Sequence, residues 1–272
     1  MKLRVISSVA GILIIVMAYL IPDPFFIVLA MLLCLLMAHE YINALQNASI
    51  RPMGFFLYAW TIIYYIVIYL YYHSSAMDMV LFTRANVLLF IIFTAACLFT
   101  AVFNRKYELK DSLFTLFGFI YVVFLASFIV FVRYMDMGGW LLGYILLGAF
   151  GTDVFSFLIG SRFGKTKILP RISPNKTLAG FFGGYFGCMV LLALYSLIAV
   201  SFFTFSLPMG KLVLVCLTFG IVSQAGDWLA SYIKRQMRIK DFGTIMPGHG
   251  GGLDRLDSII LLAPLAYYIF IL

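Results

Sequence analysis

Polar residues interrupt this chain so rarely that it divides into nine apolar runs, at residues 5–21, 25–46, 55–72, 86–103, 112–132, 139–160, 178–204, 212–233 and 258–272. A helix needs about 20 predominantly apolar residues to cross roughly 30 Å of hydrocarbon, and the runs are close to that length. With 64% apolar and 11% charged residues, little of the 272-residue chain remains for a soluble part. The expected fold is all-α, a polytopic transmembrane helical bundle of about nine spanning helices. We expect one integral membrane domain over 1–272, with scaffold helices in 1–140 and the chemistry in 141–272.

The net charge of +8 would suggest nucleic acid in a soluble protein, but here its distribution is what matters. With the N-terminus in the cytoplasm, only Arg84, Arg133 and Lys211 of the 19 lysines and arginines fall on the opposite side. The positive-inside rule therefore supports a cytoplasmic N-terminus and no nucleic-acid partner. The first run follows Lys2 and Arg4 and continues into Pro22-Asp23-Pro24 without a small-residue cleavage site, so it reads as a retained helix rather than a secretory signal. Cys34, Cys97, Cys188 and Cys216 all lie inside runs with no metal-ligand spacing, and read as small packing residues.

Two connections differ from the rest, SRFGKTKILPRISPNKT at 161–177 and KRQMRIKDFGTIMPGHGGGLDRLD at 234–257. Their glycines, prolines and polar residues cannot face lipid with unsatisfied backbone, so they must lie in water or line a protein cavity. The run at 212–233 leads into the second of them through Gln224, Asp227, Ser231, Lys234 and Arg238, spaced to share one helix face. Asp227 would then sit on the order of 10 Å below the basic rim. A carboxylate inside a membrane costs about 2.5–3.5 kcal/mol on insertion scales and so requires a partner or a metal. Asp153, near Thr152, Ser156 and Gly160, repeats the pattern in the run at 139–160.

Asp254 and Asp257 stand three apart at the entrance to the last run, where a helix N-terminus favours negative charge. Asp227, Asp254 and Asp257, with Lys234, Arg235, Lys240 and Arg255 nearby in sequence, suit Mg²⁺, a hard cation that takes few carboxylates and completes its shell with waters and phosphate oxygens. A second cation, monovalent as one option, is compatible with the same set. The run Pro247-Gly248-His249-Gly250-Gly251-Gly252 offers backbone N–H groups that a polyphosphate can approach closely. Two near misses carry nothing. Gly160 to Thr166 has one residue too few for a Walker A loop, and His39-Glu40-Tyr41-Ile42-Asn43 lacks the second histidine of a zinc protease helix, leaving His39 and Glu40 as a satisfied polar pair.

The ordered set Ser231-x-x-Lys234-Arg235, Lys240-Asp241-x-Gly243, Pro247-x-His249-Gly250-Gly251 and Leu253-Asp254-Arg255-x-Asp257-Ser258 resembles the signature of the phosphatidate cytidylyltransferase (CDP-diacylglycerol synthase) family. A preceding block, Asp153, then Gly160-x-x-Phe163-Gly164-Lys165, then Ile172-Ser173-Pro174-x-Lys176-Thr177-x-x-Gly180, is similar to the same family, departing from it at Ala179 where glutamate is usual. The matches cover roughly 150–260; the N-terminal half matches only in hydropathy.

The resemblance implies a nucleotidyltransferase that joins CTP to phosphatidate to give CDP-diacylglycerol and pyrophosphate in phospholipid biosynthesis. By position, Asp227, Lys234, Arg235, Asp254, Arg255 and Asp257 would be catalytic, with Asp227, Asp254 and Asp257 holding Mg²⁺. Asp153, Ser173, Lys176, Thr177, Ser231, Lys240, Asp241, His249, Gly250 and Gly251 would contact substrate. The site would face the cytoplasm of the inner membrane of a bacterium, and a homodimer is left open. The alternatives are a CTP-dependent enzyme acting on another lipid phosphate or a polyprenol, and a transporter. A CDP-alcohol phosphotransferase is disfavoured because no Gly-x-x-Ala-Arg follows Asp257.

Overall fold

The computed structural model describes residues 21–203, 205–244 and 250–272. The described residues form eight long helical rods: α1 (Asp23–Asn47), α2 (Gly54–His73), α3 (Met79–Phe103), α4 (Leu109–Arg133), α5 (Gly138–Phe163), α6 (Leu178–Phe203), α7 (Met209–Gln236) and α8 (Leu253–Ile271). Seven of them, α1 to α7, are long and apolar enough to cross a membrane. α8 carries three charges in its first two turns and is apolar beyond them. These rods coincide with the second to ninth apolar runs, and the expected first span at 5–21 lies outside the described residues but for Ile21. The fold is an all-α polytopic bundle. Large apolar side chains such as Phe55, Leu88, Phe99, Phe157, Phe186 and Leu197 point outward, which suits lipid and not water.

The chain divides into two compact units. The first holds α1 to α3, the opening of α4 as far as Phe124, and the segment Gln236–Asp254. Its ends are tied by side chains. Asp78 caps α3 by accepting from Leu81 N–H at 2.7 Å. Asp111, buried at the start of α4, accepts from Glu108 N–H at 2.8 Å, a donor that the helix itself leaves orphaned, and from Arg51 N–H at 2.9 Å in the connection before α2. Within α4 the residues Phe119–Phe124 widen into a π-helical turn, which apolar patterning does not signal.

The second unit holds Leu125–Arg235 and Arg255–Leu272. Its central pair, α5 and α6, packs through small residues. A Cβ on Gly184 would meet Ser156 Oγ at 2.0 Å, one on Gly187 would meet the Phe155 ring at 2.3 Å, and one on Gly160 would meet Gly180 Cα at 3.1 Å. Close backbone approach of this kind is how helices gain dispersion contact where lipid provides no hydrophobic drive. α7 joins them through Gln224, whose side-chain amide donates to Phe181 O and Gly220 O. Between α5 and α6 the expected loop is an antiparallel ribbon of β1 (Lys167–Leu169) and β2 (Ser173–Thr177). Pro170 and Arg171 sit in its turn. Thr177 ends the ribbon and caps α6, its hydroxyl accepting from Gly180 N–H at 3.1 Å.

Candidate active site

In the second unit four elements bring charge together inside an otherwise apolar bundle. Asp153 comes from α5, Lys176 from β2, Asp227 and Lys234 from α7, and Arg255 and Asp257 from the first turns of α8. Lys176 Nζ forms an ion pair with Asp227 Oδ2. Asp153 interacts electrostatically with Lys176, Asp227 and Arg255, and Asp257 with Asp227, Lys234 and Asp153. Burial opposes the charge on Lys176, but Asp227 and Asp153 more than offset it and raise its pKa above the usual lysine range, so it stays cationic. Lys234 and Asp257 are buried, whereas Asp153 keeps an accessible side chain.

Local structure explains this placement. α7 runs unbroken past Asp227 to Gln236, so Asp227, Ser231 and Lys234 share a face as the spacing expects, and Ser231 is buried between the two charged residues. Arg238 leaves the stripe. The helix stops at Gln236 and Arg238 takes a left-handed backbone (φ 56°), which turns it off the helical face. Arg235 is exposed and its Nε donates to Ile172 O at 3.1 Å, tying the end of α7 to the ribbon that carries Lys176. Close packing holds α8 beside α7, since a Cβ on Gly226 would fall 2.8 Å from Asp257 O and 2.9 Å from Ser258 Cα.

The first unit contains a second polar centre. Asp254 Oδ2 accepts from Phe242 N–H at 2.8 Å and Gly251 N–H at 2.9 Å. Glu40 of α1, only 3% exposed, accepts from Gly252 N–H at 2.9 Å and Leu253 N–H at 2.8 Å. Gly250 adopts φ +83°, a conformation that costs a side-chain-bearing residue energy. Lys240 and Asp241 are exposed.

Comparison with known proteins gives this arrangement a context. A model of the cytidylyltransferase family matches residues 2–272. The chain belongs to the cytidylyltransferase family. It is 31% identical over 265 residues to a phosphatidate cytidylyltransferase of Staphylococcus haemolyticus, covering 97% of each chain. It is 38% identical over 159 residues to one of Thermotoga maritima and 33% identical over 177 residues to one of Bacillus subtilis. In those two alignments it spans 56% and 64% of the relatives' length.

Of the residues expected to work in this cytidylyltransferase, Asp153, Lys176, Asp227, Lys234, Arg255 and Asp257 interact as one cluster. Ser173 opens β2, and the Thr177 hydroxyl is already engaged as a helix cap. Asp254, Lys240, Asp241, Gly250 and Gly251 belong to the first unit, and His249 lies outside the described residues. Glu40 was not expected here. His39 and Glu40 do not pair with each other, since His39 Nδ1 meets the Tyr58 hydroxyl while Glu40 bonds backbone 212 residues away. Its sequence signal was a lone acid in an apolar helix, which demands donors without naming them.

Among the described residues no group of three or more His, Cys, Asp or Glu side chains could enclose a metal ion alone. That is compatible with Mg²⁺, which is commonly bound through one or two carboxylates with waters and substrate phosphates supplying the rest. Asp227 fits such a role, being a hard oxygen donor whose partner, the Lys176 ammonium, sits on a flexible side chain. Asp257, within its field, is the second fitting donor.

Proposed function

We propose that this cytidylyltransferase joins CTP to phosphatidate, releasing pyrophosphate and forming CDP-diacylglycerol. The observation that carries the reading is the half-buried Lys176–Asp227 ion pair within a set of three carboxylates and three cations in an apolar bundle. Both substrates are anions, so chemistry between them requires cations held where lipid can also reach. The names of the similar Staphylococcus, Thermotoga and Bacillus proteins support the same substrates.

In the proposed reaction an oxygen of the lipid phosphate attacks the α-phosphorus of CTP. The bond from the α-phosphorus to the bridging oxygen breaks, and pyrophosphate leaves with the electron pair. No protein nucleophile is needed, and catalysis is positioning plus neutralisation of charge on the phosphoryl oxygens. Lys176, Lys234 and Arg255 supply positive charge. Asp153 and Asp227 keep the Lys176 ammonium charged and aimed. Asp227 and Asp257 would hold Mg²⁺, which when bound neutralises nucleotide phosphate oxygens. Asp254, Lys240, Asp241, His249, Gly250 and Gly251 join this assignment through the motif. The site is assigned to the cytoplasmic side, where CTP is available, in a bacterial inner membrane.

The test is a pyrophosphate-release assay with purified protein, Mg²⁺ and labelled CTP against phosphatidate and a panel of other lipid phosphates. Release with phosphatidate, abolished in Asp257→Asn, is expected. Release only with a polyprenyl phosphate would replace the lipid substrate, and no release with any of them would end the enzyme reading.

A further inference from the structure

Gly252 stands immediately before α8 and has no side chain with which to cap it. The first N–H groups of a helix have no acceptor within the helix, and residues such as Ser, Thr, Asp or Asn ordinarily supply one. Here Glu40 supplies both acceptors from another helix, Oε1 to Gly252 N–H and Oε2 to Leu253 N–H. A carboxylate at that end is also favoured by the helix dipole. The space for it is made by glycine. A Cβ at Gly243 or at Gly251 would lie 2.3 Å from Glu40 Oε1, so neither position tolerates a side chain while the carboxylate is in place. The next residue, Asp254, takes Phe242 N–H and Gly251 N–H on its own Oδ2, so two acids clamp one short stretch of chain from opposite ends.

We propose that Glu40 is a positioning residue, a helix cap supplied in trans that fixes the glycine segment and the first turn of α8 and thereby aims Asp254. The role rests on the cytidylyl-transfer reading above. On this account Gly243 and Gly251 are glycines because the chain must pass against a buried carboxylate, and a substrate need not be the reason. Glu40 itself touches no reacting atom.

The test uses the full chain in detergent, with Glu40→Gln, Glu40→Ala, Gly243→Ala and the double variant Glu40→Ala/Gly243→Ala. Turnover is scored per folded molecule, with amide exchange read across 250–254. Glu40→Ala should lower kcat by on the order of 100-fold and Glu40→Gln, which keeps one acceptor, by about tenfold, with KM for CTP changed far less. Exchange at Gly252 and Leu253 should speed up in Glu40→Ala. Gly243→Ala should cost activity alone but add little in the Glu40→Ala background, because the colliding carboxylate is gone. Wild-type kcat in folded Glu40→Ala, unchanged exchange, or additive losses in the double variant would each overturn the proposal. A wild type without turnover but with exchange protection that depends on Glu40 would retain the cap and sink the reaction alone.

Discussion

Glu40 in the first unit and Asp227 in the second are held by opposite means. Glu40 gives both oxygens to backbone N–H groups and makes no ion pair among the described contacts, whereas Asp227 Oδ2 is held by the ammonium of Lys176. A carboxylate satisfied by two main-chain donors is anchored to geometry that cannot rearrange without moving a helix. One satisfied by a lysine at the end of a flexible stem can exchange that partner for another cation, and frees the ammonium for another anion as it does so. The first arrangement builds a frame, and the second leaves chemistry available. These two acids on apolar helices therefore differ in the kind of donor they meet.

Breaking the Lys176–Asp227 side should have the largest effect. Asp227→Asn keeps the shape of the side chain and removes its charge. Turnover is expected to fall on the order of 10³-fold while the thermal midpoint in detergent changes little, since the losses concern charge at the reacting phosphates. A variant that unfolds would instead place Asp227 with Glu40 among the structural acids. Lys176→Met should follow at about 10²-fold, with Lys176→Arg recovering part of the activity because charge returns with a different fork geometry. If Arg restores nothing, the ammonium is needed for more than its charge.

That division was only half legible in the sequence. The helices were legible because lipid imposes one requirement, a long apolar run, and α1 to α8 coincide with eight of the nine runs, seven of them long and apolar enough to cross. Asp153, Asp227, Lys234 and Asp257 were legible as candidates because polar residues at helical spacing stand out against apolar runs, and the structure brings the four within one another's field. The ribbon at 167–177 was not, because ILPRISPNK alternates neither with period two nor with a helical period. Arg238 was placed on a helix that ends two residues earlier, and helix ends are the least regular part of any such pattern. Glu40 announced that it needed donors, but those donors are 212 residues away and on the backbone, where no side chain marks them.

A smaller effect should come from the frame of the second unit. Gly184→Ala would set a methyl 2.0 Å from Ser156 Oγ and press α6 away from α5. Overpacking of this kind costs about 1–3 kcal/mol. Because Asp153 sits on α5 and Lys176 leads directly into α6, the loss should appear in both the thermal midpoint and turnover, in contrast to Asp227→Asn. A lower midpoint with full turnover would show that the cluster tolerates a shift between these two helices.

The smallest effect worth measuring separates two readings of Thr177, which the motif resemblance would make a substrate contact and which the structure places at the head of α6. Its hydroxyl accepts from Gly180 N–H at 3.1 Å, and the residue is buried against Gly160 and Gly164. If capping is its whole role, Thr177→Ala should cost about 1 kcal/mol of stability, and Thr177→Ser, which keeps the acceptor, should cost less. KM for both substrates should then stay at the wild-type value in Thr177→Ser and shift only as far as the loosened ribbon moves Lys176 in Thr177→Ala. A rise in KM for CTP or lipid with an unchanged midpoint would return Thr177 to the substrate, and would mean that the hydroxyl leaves the helix end when a phosphate arrives.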